Sequence, residues 1–388
     1  HIYMDNNATT QVLPEVLDAM RPYWEERFGN ASAVHGFGRN ARNGIETARE
    51  QLAALLHVKA SEIIFTSGGT ESDNLALFGL LAAGDHLIVS SIEHDAVLHA
   101  AAALEQNGVL VTRVPCDQNG VVQPESIQAA MTPRTKLVSV MLANNETGVV
   151  QPVRAIAAVA QQAGAWMHTD AVQVCGKMPI DMGNLDCDLF SISAHKMHAP
   201  QGVGALWVRS GVPLRPVMHG GSHERKRRAG TENVPGIVGL GAAAAHSAES
   251  LRNGSADAVS KLRDRLEGAI RAEIPGAGIN GEHVQRLPNT TCVSLEGVNA
   301  EELVIALDLQ GLAISGGSAC QSGAIEPSHV LRAMALTDLE ARSTVRISMS
   351  QRTTVDEMDA AAAMLARTVE RMRSLRLHQS VELAELRK

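Results

Sequence analysis

The sequence predicts an α/β protein with a mostly parallel sheet, followed by a smaller α+β unit. Short apolar runs such as EIIFTS (62–67) and HLIVSS (86–91) lack clean alternation, as strands buried on both faces do. Helix-like segments such as DAVLHAAAALEQ (95–106) lie between these runs, which is typical of helices covering both faces of such a sheet. From about Ala245 the pattern changes, and strand-like runs such as TTCVSLEG (290–297) indicate the second unit.

Composition restricts the class of protein. The chain has 388 residues, enough for two domains, and its formal charge of -8 argues against nucleic acid or an anionic membrane as the main partner. No apolar run reaches the ~20 residues that span a bilayer, and HIYMDNNATT does not resemble a signal peptide. Five widely spaced cysteines indicate neither a disulfide scaffold nor a zinc site. We therefore expect a cytoplasmic protein.

A small-residue turn, TSGGTESDN (66–74), follows one predicted strand and opens a helix. Free backbone N–H groups at such a helix start can bind an anion. The turn lacks the G-K-[ST] ending of a nucleotide P-loop, so a nucleoside triphosphate is not implied. Alternatively, Ser67 or Thr70 simply caps the helix. Two G-x-G-x-x-A matches, at 36–41 and 239–244, follow no strand and do not indicate a dinucleotide site.

One lysine, Lys196, lies in SAHKMHAPQGVG (193–204), just beyond an apolar strand-like run, and Asp170 in HTDAVQ ends the preceding strand. Ligands of α/β sheets bind beyond the carboxyl ends of strands. Pyridoxal phosphate needs a lysine for its Schiff base, an acid opposite its ring nitrogen and a site for its phosphate. Asp170, Lys196 and the turn at 67–70 supply all three. Lys196 is therefore predicted to be a buried covalent anchor for this cofactor.

Motifs over nearly the whole chain resemble those of NifS/IscS-like cysteine desulfurases, class-V aminotransferases of the fold-type-I pyridoxal-phosphate superfamily. Besides those quoted, they include DNNATT (5–10), ANNETG (143–148), HGGSHERKRRAGTEN (219–233), GGSACQSGAIEPSHVLRAM (316–334) and VRISMS (345–350). The resemblance implies a seven-stranded, mostly parallel sheet in a large domain over 14–250. It also implies a small α+β domain from 1–13 and 251–388, which carries the nucleophile loop.

The resemblance also implies the roles of individual residues. Lys196 forms the Schiff base, Asp170 pairs with the pyridinium nitrogen and His94 stacks on the ring. The remaining roles are contact with the ring oxygen region (Gln173, Asn145), the phosphate (Gly69, Thr70, Ser193, His195), the phosphate of the other subunit of a homodimer (Thr231) and the substrate carboxylate (Arg346, with Asn145). No metal is implied.

Cys320 is the nucleophile that the resemblance implies. It would attack the sulfur of L-cysteine, leave L-alanine, and carry a persulfide to a sulfur-acceptor protein such as an iron–sulfur scaffold. Glycines at 316, 317 and 323 give this cysteine a flexible setting. Free cysteines are usually buried as small hydrophobes, which is expected for the other four, Cys116, Cys175, Cys187 and Cys292.

Other functions remain open from the sequence. A selenocysteine lyase or another aminotransferase-like enzyme would use the same cofactor, with Cys320 incidental, and a non-catalytic scaffold could keep the fold. The basic run HERKRRAG (223–230) could bind nucleic acid, but aromatic residues are not interleaved with it. His219 and His223 are separated by Gly-Gly-Ser, which makes a helical metal pair improbable.

Overall fold

The computed structural model describes residues 1–316 and 327–385, with the backbone alone at 377 and 379–385. Its α-helices are α1 (Pro14–Met20), α2 (Pro22–Glu25), α3 (Gly36–Leu56), α4 (Gly69–Leu80), α5 (Asp95–Gln106), α6 (Pro124–Ala130), α7 (Val153–Gln162), α8 (Met182–Leu185), α9 (Val234–Arg252), α10 (Ser255–Glu273), α11 (Ala300–Asp308), α12 (His329–Ala333), α13 (Asp338–Arg342) and α14 (Val355–Glu385). Its strands are β1 (Ile2–Tyr3), β2 (Ile63–Thr66), β3 (His86–Ser90), β4 (Leu110–Val114), β5 (Thr135–Ser139), β6 (Trp166–Asp170), β7 (Leu189–Ser193), β8 (Gly204–Val208), β9 (Ala277–Ile279), β10 (Thr290–Leu295), β11 (Leu312–Ala313), β12 (Ser315–Gly316) and β13 (Thr344–Ser348). Short 3₁₀ turns lie at Ala60–Glu62, Ala194–Lys196 and Glu224–Lys226.

The main sheet has seven strands in the order β2-β8-β7-β6-β5-β3-β4. Strands β7, β6, β5, β3 and β4 are mutually parallel, while β8 runs antiparallel to both β7 and β2. The predicted mostly parallel, seven-stranded sheet is therefore confirmed. Its parallel strands bring their carboxyl ends to one edge, where polar side chains can converge.

Helices cover both faces of this sheet, as the continuous apolar runs predict. Neighbouring residues of β3 point to opposite faces, because Ile88 packs with the cluster that includes α3 and α9, whereas Leu87 and Val89 pack with the cluster that includes α4 and α5. All five residues of β3, β7 and β8 are buried. A strand buried on both faces cannot show polar alternation, which explains the sequence pattern.

A second, smaller sheet follows, with four antiparallel strands in the order β12-β13-β10-β9. Helices α10, α11 and α14 pack with it around a separate apolar cluster that includes Leu266, Leu303 and Leu365. Near the amino terminus, β1 pairs with β11 in parallel and Met4 joins the same cluster. The domain boundaries at 13/14 and 250/251 stay a prediction. In the described residues, no helix combines the length and apolarity needed to cross a membrane.

Candidate active site

A cleft at the carboxyl ends of β5, β6 and β7 encloses about 630 Å³ of empty space, part of it open to solvent. Sites for small molecules are typically of this size. Nine of the residues predicted for the site line this cleft: Gly69, Thr70, His94, Asn145, Asp170, Gln173, Ser193, His195 and Lys196. Their convergence follows from the parallel strands, since each group lies just beyond a strand end or at the start of the helix that follows.

Lys196 lies in the 3₁₀ turn directly after β7. Its Nζ donates hydrogen bonds to the carbonyl oxygens of Asn7, at 2.5 Å, and Ala8, at 2.7 Å. The side chain is half-buried, so the prediction of a fully buried lysine is wrong. Partial exposure has a physical reason, because the amine lies at the cleft wall, where a ligand would complete its burial.

One end of the cleft is the amino terminus of α4, whose first N–H groups have no acceptor within the helix. Its N-cap is Gly68, at φ 155°, and no side chain caps the helix. The alternative of a simple Ser67 or Thr70 cap is therefore wrong. A Cβ at Gly69 would lie 2.7 Å from Cγ2 of Val172, so a side chain here would collide with the cleft wall. The turn thus leaves the backbone donors accessible.

His195 lies on the wall facing this helix start. Its Nδ1 is 3.0 Å from Oγ1 of Thr9. Burial, together with the nearby charges of Lys196 and Lys177, lowers the pKa of His195 to about 4. The ring is therefore neutral at physiological pH and contributes a hydrogen bond rather than a charge.

Asp170 is the last residue of β6, and its Oδ1 accepts the N–H of Val172 at 2.9 Å. Burial raises the pKa of this carboxyl group, while His94, Lys196 and the Val172 N–H act in the opposite direction. His94 is the N-cap of α5, where its Nδ1 accepts the N–H of Ala96 at 3.1 Å. Because Nδ1 accepts this N–H, Nε2 is the ring nitrogen left to donate. The positively charged pyridinium ring of a bound cofactor, placed against Asp170, would favour the carboxylate form of Asp170 further.

Arg346 enters the site from β13 of the smaller sheet. Its side chain is 2% exposed, Nη1 donates to the carbonyl oxygen of Asn145 at 3.0 Å, and Nη2 donates to Oδ1 of Asp5 at 2.7 Å. Arg346 does not itself line the cleft but contacts Asn145, which does. The guanidinium is therefore held at the edge of the cleft through Asn145.

Two predicted residues are not in this cleft. Thr231 is exposed in the segment before α9, away from the cleft of its own chain. Its assignment to the site of a second subunit stays a prediction. Cys320 lies outside the described residues, and its role stays a prediction as well.

The other four cysteines fit their expected place only in part. Cys175, Cys187 and Cys292 are buried, whereas Cys116 is half-buried. Burial raises the pKa of the three buried thiols to about 12 and that of Cys116 to about 11. Because the thiolate is the reactive form, all four are poor nucleophiles near pH 7.

Sequence reasoning missed Asn7, which connects the two sheets. Its carbonyl oxygen accepts from Lys196 and also from Gln173 Nε2, at 3.0 Å. Its Nδ2 donates to the carbonyl oxygen of Asn145, at 3.2 Å, and to Oγ1 of Thr290, at 2.9 Å. The available signal was its place inside the motif DNNATT, where consecutive polar residues follow an apolar start.

Three buried titratable groups were also missed: Asp73, which lines the cleft, and Glu93 and His168, which do not. Burial raises the pKa of Asp73 well above its ordinary value and that of Glu93 to about 8, and it lowers the pKa of His168 to about 3. Asp73 Oδ1 and Glu93 Oε2 have no hydrogen-bond partner among the described residues. Burial thus disfavours charge on all three groups, whereas Asp170 has His94 and Lys196 nearby to favour its charged form.

The basic run at 223–230 is held to the large sheet by paired acids. Glu224 is buried and accepts from both Nη atoms of Arg49, each at 2.8 Å, and from the N–H of Phe65 at 2.9 Å. Arg228 donates to Glu71 in the first turn of α4, at 2.8 Å. Part of this run therefore anchors the loop near the helix start, which weakens its interpretation as a nucleic-acid surface.

The donor set of the cleft fits pyridoxal phosphate. A helix start with hydroxyls lies at one end, a buried carboxyl group lies opposite, and a lysine amine lies between neighbouring strand ends. Hydroxyl and backbone N–H groups suit a phosphate, and a carboxylate suits a protonated ring nitrogen. In the described residues, no cluster of three or more His, Cys, Asp or Glu side chains could hold a metal ion.

Comparison with known proteins identifies the family of the chain. The model of the family "Aminotransferase class-V" matches residues 2–361. A cysteine desulfurase of Cereibacter sphaeroides is 48% identical over 379 residues, covering 96% of this chain and 97% of that protein. A solved NifS-like protein has a TM-score of 0.86 at 38% identity, covering 95% of this chain and 98% of that one. A structure of SspA in complex with cysteine has a TM-score of 0.80 at 36% identity, covering 91% of this chain and 100% of that one. The chain therefore belongs to the class-V aminotransferase family, among the NifS-like cysteine desulfurases.

Proposed function

We propose that this protein is a pyridoxal-phosphate-dependent cysteine desulfurase, which converts L-cysteine to L-alanine and leaves a persulfide on Cys320 for transfer to an acceptor. The observation that carries the proposal is the single cleft that collects Lys196, Asp170 and the start of α4. The desulfurase relative and the cysteine-bound neighbour support L-cysteine as the substrate.

Each wall of the cleft then has a chemical task. When bound, pyridoxal phosphate supplies an electron sink for the negative charge that develops at the substrate Cα. Lys196 Nζ anchors the cofactor and, once displaced, moves the proton from the substrate Cα. Asp170 would hold the proton on the ring nitrogen, and burial disfavours a competing negative charge on the nearby Asp73 and Glu93.

Arg346 and Asn145 are assigned to the substrate carboxylate. The Arg346 Nε has no hydrogen-bond partner among the described residues, and its Nη2 is neutralised by Asp5. A guanidinium fork suits a carboxylate, and its link to Asn145 would place the α-carboxylate at the edge of the cleft. This arrangement favours an amino acid substrate over a simple amine.

Cys320 is assigned as the nucleophile. Its thiolate attacks the substrate Sγ, so an S–S bond forms as the Cβ–Sγ bond breaks. The electron pair of the broken bond stays with carbon, which is protonated to give alanine, and the attacked sulfur remains on Cys320 as the persulfide. The raised pKa of the other four thiols supports this choice by making each of them a weaker competitor.

The proposal extends to the oligomeric state, the sulfur acceptor and the cellular location of the protein. We assign a homodimer in which Thr231 reaches the phosphate of the other subunit, supported by the exposure of Thr231 before α9. A sulfur-acceptor protein, such as an iron–sulfur scaffold, would remove the persulfide. The dispersed cysteines and acidic net charge favour a cytoplasmic protein without a direct nucleic-acid or membrane partner.

The test is to incubate the cofactor-loaded protein with L-cysteine and a thiol reductant and to measure sulfide and alanine. We expect equal amounts of both from the parent. In a matched incubation without the reductant, which would remove a persulfide, we expect one added sulfur on the peptide that contains Cys320. Cys320→Ser should keep the yellow cofactor but lose activity at least about a hundredfold, since a hydroxyl poorly replaces a thiolate.

Cys175→Ser is the matched control. It should retain most activity, because burial raises the pKa of the Cys175 thiol to about 12 and so disfavours the reactive thiolate. Sulfur found on Cys175, or an active Cys320→Ser variant, would contradict the nucleophile. A higher rate with L-selenocysteine and none with L-cysteine would favour the selenocysteine lyase instead.

A further inference from the structure

A second lysine lies beside the cleft and has no role in the proposal above. Lys177 is half-buried in the segment between β6 and α8. Its Nζ donates hydrogen bonds to Oε1 of Gln173, at 2.7 Å, and to Oδ1 of Asn7, at 2.9 Å. Lys177 does not line the cleft, whereas Gln173 does. The lysine therefore contacts the site from behind, through an amide.

This contact determines which end of the Gln173 amide is available. A primary amide has one acceptor oxygen and two N–H donors. Lys177 Nζ meets two acceptor oxygens, Asn7 Oδ1 and Gln173 Oε1, so it donates to both, which a charged or a neutral amine can do, and it fixes Oε1 toward itself. One N–H of Nε2 donates to the carbonyl oxygen of Asn7, at 3.0 Å. The second N–H of Nε2 is then the group that Gln173 can offer to the cleft, because its Oε1 is directed at Lys177.

The surroundings of Lys177 are cationic. Burial, Lys196 and Arg346 lower the pKa of Lys177 well below its ordinary value. Lys177 in turn helps to lower the pKa of His195 and His198, since like charges disfavour one another. Of these cations, Arg346 is itself paired with Asp5, at 2.7 Å. A negatively charged ligand atom in the cleft would therefore be favoured by hydrogen bonding and by charge.

We propose that Lys177 is a positioning residue that makes Gln173 an obligate hydrogen-bond donor to the ring oxygen of the cofactor. This inference rests on the proposed pyridoxal-phosphate site. The ring oxygen of that cofactor is an anionic acceptor, so it needs a donor and would be repelled by an amide oxygen. An amide that could turn over would present its oxygen part of the time, and Lys177 removes that alternative.

The measurement is a pH titration of the visible absorbance of the cofactor-loaded protein. Donation to the ring oxygen weakens its hold on the proton that it shares with the nitrogen of Lys196, which lowers the titration midpoint. Lys177→Met should raise the midpoint by about one pH unit, the size expected when a donor to a charged oxygen is lost. Lys177→Arg retains charge and donors and should restore most of the shift. Lys261→Met, at an exposed lysine of α10, is the matched control and should leave the midpoint unchanged.

A double variant separates orientation from simple charge. Gln173→Ala should raise the midpoint by itself, and adding Lys177→Met should then change it little, because there is no amide left to orient. Equal shifts from Lys177→Met with and without Gln173 would mean that Lys177 acts by charge alone and would overturn the proposal. So would an unchanged midpoint in Lys177→Met that is yellow and active.

If Lys177→Met does not fold, Lys177→Leu, which likewise has no donor for Gln173 Oε1, should show the same rise, and its absence counts against the proposal equally. Failure of the proposed function itself is recognised separately. In that case the parent protein neither turns yellow with pyridoxal phosphate nor releases sulfide from L-cysteine.

Discussion

The two sheets of this protein bury acids in different ways. Beside the seven-stranded sheet, Asp73 on α4 and Glu93 just after β3 each have a carboxyl oxygen without a hydrogen-bond partner among the described residues. Beside the smaller sheet, Glu267 on α10 is equally buried, but it accepts from both Nη atoms of Arg286, at 2.7 and 3.0 Å, and from Oγ1 of Thr291, at 2.8 Å.

The difference teaches which buried charges indicate chemistry. A paired carboxylate such as Glu267 has its lone pairs occupied and serves packing and orientation. Acids that stay incompletely bonded and shift their pKa near a cleft are typical of functional sites. Burial alone does not distinguish the two, whereas the partners do.

Among the buried acids, the largest effect on activity should come from Asp170→Asn. A neutral amide cannot balance the positive charge on the cofactor ring nitrogen, and truncating one member of a buried charge pair typically costs about 3 kcal/mol, or about a hundredfold in rate. The check is the rate of alanine formation from L-cysteine at saturating pyridoxal phosphate.

Asp73→Asn, on α4 at the same cleft, is the control. Burial raises the pKa of Asp73 well above its ordinary value and so disfavours its charged form, and its amide should retain activity within about twofold. Equal losses in Asp170→Asn and Asp73→Asn would break the distinction between an acid whose charge is supported by nearby cations and one whose charge is disfavoured by burial.

Glu267→Gln should affect stability rather than chemistry. The substitution leaves the guanidinium of Arg286, which is 5% exposed, without its counter-charge, and breaking such a buried pair costs about 3 kcal/mol. Denaturant unfolding measures this loss, and the variant should retain nearly full turnover per folded molecule. A stable Glu267→Gln with impaired turnover would place this residue in the functional group instead.

The smallest effect concerns pH. The pKa of Glu93 is about 8 in the folded protein against an ordinary value of 4.5, so the folded state binds the proton more tightly. Stability from this group is fully present below the ordinary value and is lost as pH rises through about 8. Glu93→Gln should therefore flatten the fall in Tm between these values by a few degrees. Glu370→Gln, at an exposed position, is the control and should leave the fall in Tm with pH unchanged. An unchanged dependence of Tm on pH in Glu93→Gln would mean that the buried acid is already ionised.

Strand ends were the part of the site that the sequence predicted well. Asp170 and Lys196 follow apolar runs directly, and the carboxyl ends of parallel strands necessarily share one edge of the sheet. The uncapped start of α4 was equally predictable, because its small residues lie in one continuous turn. These features depend on neighbours in the chain, which sequence patterns report.

The contacts of Asn7 and Arg346 could not be predicted in this way. Arg346 reaches Asp5 across 341 positions of the chain, and Asn7 reaches Thr290 across 283. The resemblance assigned Arg346 a role, but neither of its partners followed from any local pattern. Likewise, the sequence around Asp73, Glu93 and Glu267 does not distinguish a paired acid from an unpaired one.

The sequence by itself determined the α/β class, the cofactor motifs and the strand ends that carry them, because periodicity and turn chemistry are local properties of the chain. Tertiary structure alone decided which buried acids are paired, how Asn7 connects the two sheets, and that Lys177 holds the Gln173 amide. Such contacts form when distant segments pack together, and burial then determines the charge that each group can carry.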